Sequence, residues 1–213
     1  MDCCKTLGVE SLFDEKLVGI ELRRYRRKGP DRTTRLLIQA IEKEGVSGKT
    51  LIDIGGGVGA ITHALLASGV RKAVIVDASR PSLDAARQVA QDDATLDRLK
   101  LIRGDYVDLA SSIGQADIVT LDRVICCYED MPALVEGSAG SASRLYGVVY
   151  PRDTWWIRLA IRLLNMFQVV RHHPYRAYIH RTREVEKRVL AAGLKRRYHS
   201  AGLYWQVSLY SRA

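Results

Sequence analysis

Cysteine, long apolar runs and terminal acids are the scarce features of this 213-residue chain, and each scarcity excludes something. Only four cysteines occur, as the adjacent pairs Cys3-Cys4 and Cys126-Cys127. Neighbouring cysteines rarely bridge each other, and the spacing is not that of a zinc module, so a reduced cytoplasmic protein with no structural metal is expected. No stretch reaches ~18 apolar residues, which argues against a spanning helix. Met1-Asp-Cys-Cys-Lys opens on an acid and lacks an apolar h-region, which reads against a secretory leader. Acids are thin at the ends. Residues 1–35 carry six against nine Lys/Arg, and residues 150–213 carry three against thirteen. The middle, 36–149, reverses this with fifteen acids against eleven basic residues, so the net charge of +9 sits at both ends. Such ends can attract an anionic acceptor, a nucleic acid or an anionic membrane, or can simply be well solvated.

Glycine, by contrast, is concentrated where chemistry needs it. Leu51-Ile-Asp-Ile-Gly-Gly-Gly-Val-Gly59 is an apolar run that ends in an acid, Asp53, and then in Gly55, Gly57 and Gly59. This order describes a buried strand turning sharply into a helix that starts at Ala60. Glycine permits the turn and lets a bulky ligand lie against the backbone, while the helix start offers unpaired N–H groups. Gly55-x-Gly57-x-x-Ala60 also satisfies the dinucleotide fingerprint, so the loop alone leaves two ligand classes open. An acid two residues ahead of the glycines would repel a pyrophosphate. It suits a ligand that carries a cation, such as the amino group and sulfonium of S-adenosylmethionine.

Three further strand ends deliver polar groups to the same edge, where open α/β sheets bind ligands. Lys72–Asp77 ends in an acid able to accept from both hydroxyls of a ribose, a device that NAD sites share. Leu99–Arg103 runs into Gly104-Asp105-Tyr106, whose acid and aromatic ring can hydrogen-bond an adenine amino group and cover its face. Asp117–Leu121 ends in Asp122-Arg123.

Together, Asp53-x-Gly55-x-Gly57-x-Gly59, Asp77, Gly104-Asp105 and Leu121-Asp122 resemble the successive motifs of class I S-adenosylmethionine-dependent methyltransferases. The resemblance covers roughly residues 35 to 213. It implies S-adenosylmethionine as cofactor, S-adenosylhomocysteine as product, and Asp53, Gly55, Gly57, Gly59, Asp77, Ala78, Asp105, Tyr106, Asp122 and Arg123 as the residues around it. Asp122-Arg-Val-Ile-Cys-Cys-Tyr128, Tyr150-Pro-Arg-Asp-Thr-Trp-Trp156 and Arg176-Ala-Tyr-Ile-His180 are similar to magnesium-protoporphyrin O-methyltransferases and their small relatives.

The periodicity predicts helices over 10–28, 32–44, 60–68, 81–92, 130–143 and 182–192, with strands over 72–77, 99–103, 117–121 and 145–150. Lys195–Ser200 and Tyr204–Ser211 flank Ala201-Gly202-Leu203, so they must pair antiparallel. The expected fold is α/β: a Rossmann-like, doubly wound, seven-stranded, mostly parallel sheet with an antiparallel C-terminal strand. An N-terminal helical arm (1–30) precedes the cofactor domain (31–213), and a helical lid insert occupies about 151–181. Within the insert, Trp155 to Val170 is nearly continuous apolar sequence, broken by Arg158, Arg162, Asn165 and Gln168 on one narrow helical stripe. Its wide apolar face needs a cover: the sheet and the arm, a large apolar acceptor, a partner chain, or a membrane interface that Trp155, Trp156 and Arg171-His172-His173 would suit.

No Asn-Pro-Pro-Tyr motif follows the fourth strand, which makes nucleic acid an unfavoured acceptor. A small, largely apolar methyl acceptor is expected instead, bounded by Tyr128, Arg152, the 155–170 helix, His180 and the arm around Tyr25. Tyr128 and His180 are candidates to orient or deprotonate it, and Arg152 can pair with an acceptor carboxylate. Salt-dependent RNA methylation and a membrane-docked cofactor-binding protein without turnover are the alternatives. Were the N-terminus to fold over the site, Cys3, Cys4, Cys126 and Cys127 could gather around a soft metal or metalloid. Otherwise they are small buried hydrophobes.

Overall fold

Each strand of this chain carries apolar side chains on both faces, and the helices that cover them alternate with the strands in sequence. The computed structural model describes residues 12–212. The described elements are α1 (Glu15–Lys28), α2 (Arg32–Lys43), β1 (Thr50–Ile54), α3 (Ala60–Ala67), β2 (Lys72–Asp77), α4 (Arg80–Asp92), β3 (Leu99–Arg103), α5 (Tyr106–Ile113) and β4 (Ala116–Asp122). Then come α6 (Met131–Ser141), β5 (Ala142–Pro151), α7 (Trp155–Val170), α8 (Thr182–Ala191), β6 (Leu194–Ala201) and β7 (Trp205–Arg212). Short 3-10 turns occupy Leu96–Arg98 and Ile125–Cys127.

The sheet runs β3-β2-β1-β4-β5-β7-β6. The first five strands are parallel, and β7 pairs antiparallel with both β5 and β6. The order reverses between β1 and β4, which opens a crevice at their carboxyl ends. Period-two alternation divides the core. Leu51, Ile75, Ile118, Leu145 and Leu209 face α2, α3 and α4, while Ile52, Val76, Val119, Val148 and Tyr210 face α6 and α8. Helix α2 approaches the sheet closely at Gly147, where an added Cβ would lie 2.8 Å from a methyl of Leu37.

The expected sheet, its antiparallel ending and most element bounds agree with this architecture. Helix α5 is the omission: Gly104-Asp105-Tyr106 reads as a ligand loop, yet Asp105 accepts from the Val107 N–H at 2.8 Å and caps a helix. The first helix, expected over 10–28, is described from Glu15, with Asp14 accepting from Leu17 N–H at 2.8 Å. Strand β5 starts at Ala142, directly at the end of α6. Cys3 and Cys4 lie outside the described residues.

The 155–170 helix is a larger correction to the packed-helix expectation. It is one unbroken helix, but among its large apolar side chains only Ile157 is buried. Asn165 faces the protein, donating to Ala177 C=O at 2.8 Å and accepting from Ala177 N–H at 2.9 Å. The outward side is apolar instead: Trp155 is 76% exposed and Met166 60%. Leu159, Leu163, Phe167, Val169 and Val170 are exposed with them. The backbone of 171–181 is what draws Asn165 inward.

Candidate active site

The glycine loop opens onto a cavity of about 700 Å³ that is covered by α1 and lined by residues 55–58, Asp77, Ala78, 104–106 and 122–124. Gly57 has φ +56°, and a Cβ built on it would meet nothing within 4 Å, because the space beside it is the cavity. Asp77 is buried and spans the loop and the next helix: it accepts from Gly57 N–H at 2.9 Å and from Ser79 N–H at 2.8 Å. A carboxylate offers about four lone-pair sites, so two remain for ligand hydroxyls. Burial raises its pKa, and those two N–H bonds lower it in part. Gly59 has a different reason. Its φ is +81°, and a Cβ there would lie 2.5 Å from Nε2 of buried His63, so this glycine makes room for the histidine rather than for a ligand.

Asp53 is 1% exposed, and each of its carboxylate oxygens is taken by a hydroxyl, Thr62 at 2.8 Å and Thr120 at 2.7 Å. It therefore ties β1 to β4 and α3 beneath the loop, where the sequence reading expects a direct ligand contact. Burial pushes its pKa up to about 7 against the hydroxyl bonds that lower it. The unfolded carboxyl titrates near ~3.9, so the folded state binds this proton more tightly. Stability from Asp53 is present at low pH and is lost as pH rises through ~7. Asp53→Asn, which keeps an acceptor for one threonine and donates to the other, should gain on the wild type between pH 5 and 8. At ~2–4 °C per kcal/mol for a chain of this size, melting curves resolve the gap. Parallel Tm profiles over that range would exclude a proton at Asp53.

Tyr106 lines the cavity from the core side: it is 3% exposed, and its hydroxyl donates to Ser141 Oγ at 2.8 Å, which fixes its ring in place. Asp105 stays at the cavity, accepting from the Tyr128 hydroxyl. Asp122 accepts from the Thr34 hydroxyl and is raised by burial. Arg123, whose φ is +65°, lines the cavity but spends its guanidinium elsewhere. It pairs with Asp31, donates to Thr33 Oγ1 at 3.1 Å and lies 5.3 Å over the Trp205 ring. Burial pushes the Asp31 carboxyl up, but Arg123, Thr34 and Thr33 more than reverse this and hold it well below the usual range. Arg123 is thus a strap between the start of α2 and the sheet while it also lines the cavity.

At the acceptor end only part of the expected boundary assembles. Tyr25, Tyr128, Tyr175 and Tyr178 line the cavity with Cys127 and Glu129. His180, Arg152 and α7 do not. Nε2 of His180 donates to the backbone carbonyl of Tyr128 at 2.7 Å, and its ring stacks on Tyr178 6.2 Å away. A nitrogen that must donate to a carbonyl cannot serve as a base. Arg152 turns to the β6–β7 connection and donates to Gly202 C=O at 3.0 Å. Glu21 is the residue that sequence reading overlooks. It lines the cavity four positions before Tyr25 on α1, and burial raises its pKa. Its only signal is that i,i+4 spacing within an arginine-rich helix.

Residues 51–139 match the family model described as "Methyltransferase domain". The "Ribosomal RNA small subunit methyltransferase A" of Xanthobacter autotrophicus is 31% identical over 116 residues, 54% of this chain and 33% of that protein. The "Ribosomal protein L11 methyltransferase" of an Enterobacter species is 36% identical over 92 residues, 43% of this chain and 30% of that protein. The chain thus spans about a third of the length of these relatives. Magnesium protoporphyrin IX methyltransferase from Synechocystis PCC 6803, solved with bound SAH, superposes with a TM-score of 0.74 at 19% identity. That match covers 98% of this chain and 100% of that one. An O-methyltransferase family protein from Burkholderia thailandensis gives 0.71 at 18% identity, covering 96% and 62%. Likeness at these identities establishes the fold.

Proposed function

We propose that this chain, a class I S-adenosylmethionine-dependent methyltransferase by fold and motif, methylates a small, largely apolar acceptor on oxygen. The observation that carries the reading is a single cavity, about 700 Å³, running from Gly57 and Asp77 to Tyr25, Tyr128 and Tyr175 beneath α1. The open space beside Gly57 and the free lone pairs of Asp77 suit a nucleoside laid against the loop. A bound sulfonium supplies an activated methyl group. The chain's part is then to hold an acceptor in line with it and to keep water out, which can contribute ~7–11 kcal/mol of a displacement barrier. Asp77 and the loop fix the nucleoside, and the tyrosines and the Cys127 wall hold the apolar body of the acceptor. A hydroxyl acceptor must lose its proton, and Glu21 is the carboxylate placed to receive it. A cavity of this size roofed by a helix suits a small molecule better than a ribosome-sized acceptor.

Calorimetry with S-adenosylhomocysteine and with NAD tests the cofactor. Binding of the first and not the second is expected, and NAD binding would overturn the assignment. Labelled methyl groups transferred into organic-soluble product, and not into added RNA, are expected from cell extract. RNA labelling with a steep salt dependence would favour the RNA alternative.

A second reading concerns location: α7 rests on an anionic membrane surface. Residues 154–176 contain four arginines and no acid, beside the exposed apolar side of α7. Arg158 is paired with Asp153 at 3.3 Å, but pairing with a second copy would set Arg162 near its own like charge, whereas an anionic lipid surface neutralises it. No described helix is long and apolar enough to cross a membrane. Flotation with phosphatidylglycerol vesicles is expected, lost in Trp155→Ala/Met166→Ser and weaker with neutral lipid. Equal flotation of the variant, or none by the wild type, removes this reading.

A further inference from the structure

The acceptor wall contains one thiol, Cys127, with a second, Cys126, buried directly behind it, and the methyl-transfer reading uses neither catalytically. Cys126 and Cys127 close the turn Ile125–Cys127 and point the same way: their Sγ atoms approach Arg123 C=O at 3.2 and 3.6 Å. Cys127 lines the cavity, with its Sγ 3.4 Å from the Tyr175 hydroxyl. The turn beneath them is pinned, since Cys127 N–H donates to Val124 C=O at 2.8 Å and Tyr178 N–H to Cys126 C=O at 2.8 Å.

Two thiols so placed have two fates, and backbone geometry separates them. Adjacent Cα atoms are ~3.8 Å apart, below the ~4.4–6.8 Å that an unstrained disulfide spans. A direct bond would distort the turn. A larger, soft centre placed between the sulfurs would not, because each Cβ–Sγ arm can then keep its direction. We propose that Cys126 and Cys127 form a dithiol clamp for a trivalent organoarsenical at the acceptor end of the cavity. The reaction is a condensation. An R–As=O group and two thiols give two As–S bonds and one water, formed from the oxide oxygen and both thiol protons, with arsenic trivalent throughout. Cys127 lines the cavity and attacks first, its thiol held below the usual range by its neighbour Cys126 against burial. Cys126, whose thiol is raised by its neighbour Cys127 and by burial, closes the ring second. The adduct stands beside Tyr175 and narrows the acceptor space.

Phenylarsine oxide is the probe, used on the full chain carrying Cys3→Ser and Cys4→Ser so that the other pair cannot respond. Intact mass spectrometry is expected to show one adduct per chain, heavier by the arsenical less one water. It should survive excess 2-mercaptoethanol and be removed by 2,3-dimercaptopropanol, as a two-sulfur adduct must. Cys126→Ser and Cys127→Ser, each checked by thermal melting, should lose monothiol-resistant adduct. Should Cys126→Ser not fold, Cys127→Ser alone decides. The loaded protein should bind S-adenosylhomocysteine at least tenfold more weakly. No adduct in the Cys3/Cys4 variant, a resistant adduct in either single variant, or unchanged ligand affinity would each overturn the clamp. The mass readout needs no methyl transfer, so its failure is distinct from failure of the enzymatic reading.

Discussion

Replacing Gly57 with valine is expected to lower S-adenosylhomocysteine affinity more than 100-fold while the chain still folds. The residue has φ +56°, and the direction its Cβ would take is open cavity. A valine there costs ~1–2 kcal/mol of left-handed backbone strain, which a domain of this size survives. The same two methyl groups stand where a nucleoside must touch the loop, so the loss falls on binding. Calorimetry and thermal melting separate the two effects. Asp77→Ala also removes binding, but less cleanly, because Asp77 holds Gly57 N–H and Ser79 N–H as well. Gly59→Ala is expected to act through stability, by colliding with His63. A Gly57→Val chain that binds within tenfold of wild type would mean the ligand lies elsewhere.

Arg123→Ala is expected to produce the largest loss of stability, ~3 kcal/mol, or ~6–12 °C in Tm. Its guanidinium stands between two carboxylates, Asp31 and Asp122, and lies over Trp205. Removing it leaves Asp122 without its cation and Asp31 with only the half-exposed Arg24 at 3.5 Å. The start of α2 loses its strap to β4 and β7 in the same step, so cofactor affinity should fall with stability. Arg123→Lys should recover only part, since an ammonium cannot reach Asp31 and the threonine hydroxyls as a flat fork and also cover the ring. Urea unfolding of the three proteins decides. Equal midpoints for wild type and Arg123→Ala would show that the strap carries no load.

Arg123 also marks the limit of what a sequence discloses. Asp122-Arg123 at a strand end reads as a ligand pair, because strand ends in such sheets do hold ligands. The partner that redirects the arginine, Asp31, is remote in sequence and reads only as a helix cap. Asp53 shows the same limit: its acid is legible, but Thr62 and Thr120, which each engage one of its oxygens, are not. His180 looks like a base until the backbone carbonyl of Tyr128 claims its Nε2. In each case the side chain's type is local information and its partner is not.

By itself the sequence determined the alternation of strands and helices, the position of the glycine loop, the strand-end acids and the antiparallel ending. Those follow from backbone conformation and from period-two or period-3.6 burial, which act over a few residues. Tertiary structure decided which acids at the cavity are engaged by threonine hydroxyls and which by backbone N–H groups. It decided that Glu21 of the arm looks into the cavity, and that α7 turns its asparagine inward and its leucines out. Those outcomes depend on which distant groups reach a side chain first, and a buried polar atom must take the partner that the fold brings to it.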